Sequence, residues 1–180
     1  MIPRTATAAR LRSIVGRRSP AASGGTAAER PGVEVVEAAA RGDAPAFMRL
    51  YLWRAEAVAA YLEPLFGDEG ERAGALRRAF VEAWRDLPAL DDAAHFELWL
   101  VRRAHALGGS PVDGTDATVA ELYELPARLR EVLALRYLFR MSVGELATSF
   151  DESTASVERW IVEGLETLAA GQVGWRPAAA

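Results

Sequence analysis

The sequence predicts an all-α protein of two small helical domains joined by a flexible linker. Three observations carry that expectation. Apolar residues recur at helical spacing from Val33 to Leu107 and again from Leu125 to Ala169. Between the two runs, Gly108-Gly109-Ser110-Pro111-Val112-Asp113-Gly114-Thr115 is a linker by composition. The 180 residues are 51% hydrophobic, enough to build real cores in two small units. The expected division is an arm at residues 1–33, a helical domain at 34–107, a linker at 108–120, a second domain at 121–170 and a tail at 171–180.

The first 33 residues are rich in Ala, Arg, Ser, Gly and Pro, with no sustained apolar period, and read as a disordered basic arm. Arg17-Arg18 resembles an export signal, but no apolar segment follows it, and no stretch approaches the length of a membrane span. The expected location is the cytoplasm. The first domain then starts with a short helix over residues 33–40. A second helix, capped by Asp43, buries Phe47, Leu50, Tyr51, Val58, Tyr61 and Leu62 and stops at Pro64 and Gly67. A third runs from about Glu69 to Leu87 with Leu76, Phe80, Ala83, Trp84 and Leu87 on one face. Asp91 or Asp92 starts a fourth, which carries Phe96, Trp99, Leu100, Ala104 and Leu107.

In the second domain Pro126 suits a first helical turn, where a missing N–H has no partner to lose. Leu129, Val132, Leu133 and Tyr137 form one stripe. Ser142 with Glu145 makes a capping box for the next helix, and Met141 can close on Leu146 as a hydrophobic staple. Val143, Leu146, Ala147 and Phe150 are its buried face. A break at Asp151–Thr154 leads to a last helix, with Ser153 as cap candidate and Val157, Ile161, Leu165 and Leu168 as its stripe. A short helix, a tight turn and a longer helix on one core is the helix-turn-helix arrangement, whose second member lies in the major groove of DNA. A plain helical hairpin has the same periodicity.

Charge and composition restrict the chemistry. The chain has no cysteine, which excludes disulfides, thiolate metal sites and a cysteine nucleophile. All 21 basic residues are Arg, and the formal net charge is −4. The arm is basic (six Arg against one Glu), whereas residues 121–170 hold five Arg against nine acids. Catalysis finds little support. His95 and His105 lack a carboxylate or thiolate at ligand spacing, there is no glycine-rich phosphate loop, and neither a metal nor a cofactor is expected.

The order of elements resembles the extracytoplasmic-function (group 4) sigma factors of bacterial RNA polymerase. Ala44-Pro45-Ala46-Phe47-Met48-Arg49-Leu50-Tyr51 is similar to that family's opening helix, and Phe80-Val81-Glu82-Ala83-Trp84-Arg85 to its F-x-x-x-W-R helix. Phe96-Glu97-Leu98-Trp99-Leu100-Val101-Arg102-Arg103-Ala104 resembles its F-x-x-W-L-x-x-x-A helix. Leu125-Pro126 through Arg136-Tyr137 resembles the opening of its promoter-reading domain. The likeness covers about residues 34–170. It implies a first domain that binds the polymerase clamp through Leu76, Arg77, Arg78 and Phe80 and meets the −10 element with Trp99, Arg102 and Arg103. It implies a second domain that reads the −35 element with Ser153, Thr154, Ser156, Arg159 and Trp160. The implied partners are core RNA polymerase, promoter DNA and an anti-sigma factor or another sigma factor.

Two departures bear on those roles. Where the family places an acidic and glutamine run before Phe80, this chain has Gly74-Ala75-Leu76-Arg77-Arg78. The two arginines either meet the clamp or pair with nearby Glu on a solvated face. The recognition helix presents Glu158, Glu163 and Glu166 where the family commonly has Lys or Arg. DNA carries one phosphate charge per ~1.7 Å of axis, so an acidic reader is repelled except at a local patch. Arg159 can still read a guanine bidentately, with Ser153, Thr154 and Ser156 on phosphates at the helix start. The alternative is a sigma-like protein that no longer reads promoters and acts through protein–protein contacts. A third reading, a dimeric helix-turn-helix regulator of another type, fits the order of motifs less well.

Overall fold

The computed structural model describes residues 30–108, 110–115 and 117–173. The expectation of a disordered arm falls, for residues 1–29, outside the described residues. Eight α-helices carry this part of the chain: α1 Val33–Ala40, α2 Ala44–Leu62, α3 Glu69–Asp86, α4 Phe96–Ala106, α5 Ala117–Glu124, α6 Ala127–Tyr137, α7 Val143–Phe150 and α8 Thr154–Val173. No strand occurs among the described residues.

Most helix ends sit where side-chain chemistry puts them. Asp43 accepts from the Ala46 N–H at 2.9 Å and Asp68 from that of Glu71 at 2.8 Å, closing the starts of α2 and α3. Gly42 follows α1 with φ +93°, a left-handed exit that costs glycine nothing. Asp92 caps a single 3₁₀ turn, Ala93–His95, which leads into α4. Ser142 and Glu145 form the expected capping box, with the Glu145 N–H donating to Ser142 at 3.2 Å and the Ser142 N–H to Glu145 at 2.6 Å. Asp151 ends α7 in the left-handed region, φ 53°, which short polar side chains tolerate. Ser153 then accepts from the Ser156 N–H at 3.1 Å and so caps α8 as expected.

Four boundaries differ from the sequence reading. The arm ends before residue 30, because Arg30 is already tied by ion pairs to Glu97 and Glu145. The linker is shorter than 108–120: Ala117–Glu124 is a helix, α5, whose Val119, Leu122 and Tyr123 are buried. Only two apolar turns separate it from α6, too little periodicity to stand out beside a Gly/Pro-rich stretch. Pro126 caps α6 rather than entering its first turn. At the other end α8 runs to Val173, into the expected tail.

α1 packs on α2, and α2 on α3 and α4, to make the first unit. α6 and α7 pack on α8, with α5 alongside, to make the second. α8 comes close to α6 at Gly164, where an added Cβ would stand 2.9 Å from Leu133 Cδ1, so only glycine permits that approach. The units also pack on each other through α4 against α6 and α7. Leu100 and Val101 of α4 and Val132 and Leu135 of α6 are fully buried in one continuous core. The linker lies along the first unit: the Val112 N–H donates to the Pro64 carbonyl at 2.9 Å.

A buried polar seam joins α2, α4 and α5. The Tyr61 hydroxyl meets His105 Nδ1 at 3.1 Å, and the Tyr123 hydroxyl donates to the Tyr61 carbonyl. Burial pushes both phenols up, so both stay protonated. Burial, then the Arg130 charge, pushes His105 below its ordinary value of 6.5. Because the folded protein then resists protonation at His105, an unfolded chain takes up the proton first. Stability therefore falls as pH drops below about 6.5, until the folded pKa is passed. The expected result is a larger loss of urea midpoint between pH 7 and pH 5 in the wild type than in His105→Gln; equal losses would refute it.

Candidate nucleic-acid interface

The face of α8 turned away from the core is small and mostly acidic. Ser153, Thr154, Glu158, Arg159, Glu163 and Glu166 are exposed, and Ser156 is half-buried. The structure therefore presents Ser153, Thr154, Ser156 and Arg159 together at the start of the helix, where unpaired N–H groups and the helix dipole favour a phosphate. Trp160 is different. It is 7% exposed, meets Phe150 edge-on at 5.7 Å between ring centroids, and carries the Arg128 guanidinium over its ring at 4.6 Å. It is a core residue and cannot reach a base, a correction to its place among the candidate readers. Three residues beyond Val157, it lies on the flank of the buried stripe, which is why spacing alone left it ambiguous.

On the first unit, Trp99, Arg102 and Arg103 lie along α4. Arg103 donates to Asp86 at 2.6 Å and stacks over Trp99 at 4.5 Å. Arg102 reaches across to the second unit and grips Glu131 of α6 with two parallel bonds, 2.9 Å from Nε and 3.0 Å from Nη2. Two further bonds follow the same seam. Ser149 of α7 donates to the Ala94 carbonyl at 3.1 Å, and His95 Nε2 lies 3.3 Å from the Asp151 carboxylate. Between the units is a cleft of about 550 Å³, lined by Trp99 and Arg102 from α4, by Arg128 and Glu131 from α6 and by Trp160 from α8, among others.

A second surface lies on the opposite side of the first unit. Phe47, Met48 and Tyr51 of α2 and Leu76, Phe80, Val81 and Trp84 of α3 line an open apolar groove of about 640 Å³, with Arg77 on its rim. Met48 and Val81 are 54% and 61% exposed, unusual for such side chains outside an interface. Of the candidate clamp residues, Leu76, Arg77 and Phe80 meet at this groove; Arg78 is exposed but does not line it. Pairing of Arg77 and Arg78 with nearby Glu is not found: neither makes an ion pair among the described residues.

Sequence reasoning missed the charges that hold the two units. Arg54 is 9% exposed and Glu97 2%; their ion pair is buried, and Arg54 also donates to the Phe139 carbonyl at 3.0 Å. A signal existed. Arg54 stands between Leu50 and Val58 at i+4 spacing, a charge inside an apolar stripe, and Glu97 lies between Phe96 and Leu98. Long charged residues almost never occupy such positions unless paired.

No group of three or more potential metal ligands occurs among the described residues. None of the helices described is long and apolar enough to cross a membrane.

Comparison with known proteins agrees with this geometry. Residues 118–168 match the family model of sigma-70, region 4. The chain is similar to a solved structure of CnrH in complex with the cytosolic domain of CnrY, at 25% identity and a TM-score of 0.57, over 80% of this chain and 98% of that one. It also matches a structure of the RsbN–BldN complex at 25% identity, over 75% of this chain and 97% of the other, with a TM-score of 0.39. No curated protein sequence matches it.

Proposed function

The chain is a sigma-factor-like transcription protein of the extracytoplasmic-function type, and from that premise we propose that it binds core RNA polymerase and directs it to promoters. The observation that carries this reading is one of placement. A helix-turn-helix with Arg159 exposed at its reading end is preceded by a unit whose exposed apolar groove supplies a surface for the polymerase. In this reading Leu76, Arg77 and Phe80 meet the clamp, with Arg78 beside them, and Trp99, Arg102 and Arg103 meet the −10 element. Arg159 reads the −35 element while Ser153, Thr154 and Ser156 hold phosphates. The protein carries out no reaction of its own and works in the cytoplasm. A further partner is an anti-sigma factor, in keeping with the CnrY segment bound to the similar CnrH.

A second reading has specific support. Glu158 and Glu163 lie exposed beside Arg159, and Arg77 and Arg78 carry positive charge at the clamp surface. Like charges across an interface cost several kcal/mol, which favours a regulator or adaptor that works through protein contacts alone.

In vitro transcription with purified core polymerase, combined with co-purification on that core, separates the two. The first reading expects promoter-dependent transcripts. Arg159→Ala should then lower promoter affinity roughly 5- to 100-fold, the discrimination carried by one good bidentate contact to a base. Binding to polymerase without initiation selects the second reading. Absence of binding to both polymerase and DNA would sink both.

A further inference from the structure

We propose that the packed arrangement of the two units is a closed resting state, latched by Arg102 and Glu131, in which the protein cannot engage both promoter elements. The proposal rests on the reading that the first unit meets the −10 element and the second the −35 element. Those elements lie about 25 base pairs apart, or ~85 Å of B-DNA at 3.4 Å per pair. A compact chain of this length measures roughly 40 Å across. The residue adjoining Arg159, Trp160, lines the same cleft as Trp99 and Arg102. Two readers held this close cannot reach both elements, so the units must separate.

The atoms of the latch make the closed state self-blocking. Arg102 spends Nε and Nη2 on Glu131, the donors a phosphate or base would need. The Ser149–Ala94 and His95–Asp151 contacts close the same edge. Arg30 ties Glu97 of α4 to Glu145 of α7. The linker is fastened as well, since Val112 and Thr115 both bond to the Pro64 carbonyl. Released, residues 108–116 could extend about 30 Å, enough to let the units part. A partner that binds only the open form sees its affinity reduced by the open fraction, so the latch sets a threshold for activation.

The absence of native cysteine makes a direct test available. Ala94→Cys and Ser149→Cys in the full chain are joined by a short bis-maleimide, with a monofunctional maleimide as control, and X-ray scattering compares wild type with Glu131→Gln. The expected results are efficient cross-linking and loss of promoter-dependent transcription in the cross-linked protein alone. Glu131→Gln should keep its helical content and gain radius of gyration, with a roughly tenfold larger open fraction for the loss of a charge-assisted bidentate contact. Failure to cross-link, equal transcription from cross-linked and control protein, or an unchanged radius in Glu131→Gln would each overturn the latch. If neither control nor wild type binds polymerase, the proposed function fails instead, and cross-linking with scattering still decides whether the closed state exists.

Discussion

Replacing Arg54 by Met is expected to destabilise the protein by about 3–5 kcal/mol, the usual cost of removing one partner of a buried ion pair. For a chain of this size that lowers the thermal midpoint by roughly 10 °C. The guanidinium lies 3.5 Å from the centroid of the Trp53 ring, donates to the Phe139 carbonyl at 3.0 Å and pairs with Glu97. Burial, with the nearby charge of Arg30, pushes it down to about 9, so it is still a cation at pH 7. Met fills much of the volume but leaves Glu97, 2% exposed, facing Arg30 alone, and it orphans the Phe139 carbonyl. Removing both charges should behave differently. Arg54→Met with Glu97→Leu leaves no buried carboxylate and is expected to recover most of the loss, because a buried pair contributes little net stability over an apolar replacement. Urea denaturation of the two single variants and the double variant measures this. A loss under about 1 kcal/mol in Arg54→Met would show that the pair is not the keystone its burial suggests.

The second large effect concerns DNA. Glu158→Arg with Glu163→Arg is expected to raise affinity for duplex DNA roughly tenfold or more. Each reversal exchanges repulsion for attraction toward a phosphate; at about 7 Å in a water-like dielectric that is ~1 kcal/mol per site before screening. Both residues are exposed on α8 and lie outside the core, so the fold should be unaffected. The gain should be salt-dependent, with the slope of log K against log salt steepening by about 0.9 for each new phosphate contact. Titration of fluorescent DNA at several salt concentrations reads both quantities. An unchanged affinity and slope would mean that this face of α8 does not approach DNA, and would shift weight to the reading in which the protein acts through protein contacts.

Much of this architecture was legible from local chemistry. The starts of α2, α7 and α8 follow from Asp43, from Ser142 with Glu145, and from Ser153, because a cap needs only residues three positions apart. The stripes Val132–Leu133 and Val157–Leu165–Leu168 are buried as their periodicity required. α5 escaped notice because it is two turns long and adjoins a glycine- and proline-rich stretch. Trp160 was ambiguous for a geometric reason: a residue on the flank of a stripe faces core or solvent according to what packs beside it, and here Phe150 and Arg128 cover it.

The charges divide in the same way. Local sequence placed Arg159, Glu158 and Glu163 on the outer face of the last helix, since exposure there depends only on helical phase. It could not pair Arg54 with Glu97 across 43 positions, with the Phe139 carbonyl across 85, or Arg102 with Glu131 across 29. Those partners sit on different helices, and they meet only because the apolar stripes of α4, α6 and α7 dock on one another. The sequence by itself determined the helices, their caps, the helix-turn-helix and the sigma-like order of its motifs, all consequences of spacing within one or two turns. Only the tertiary structure decided that the two units close on each other and that the arginine expected at the −10 element is held by a carboxylate of the second unit. The reason is that packing of whole faces, rather than any local preference, sets which distant charges come within a hydrogen bond of each other.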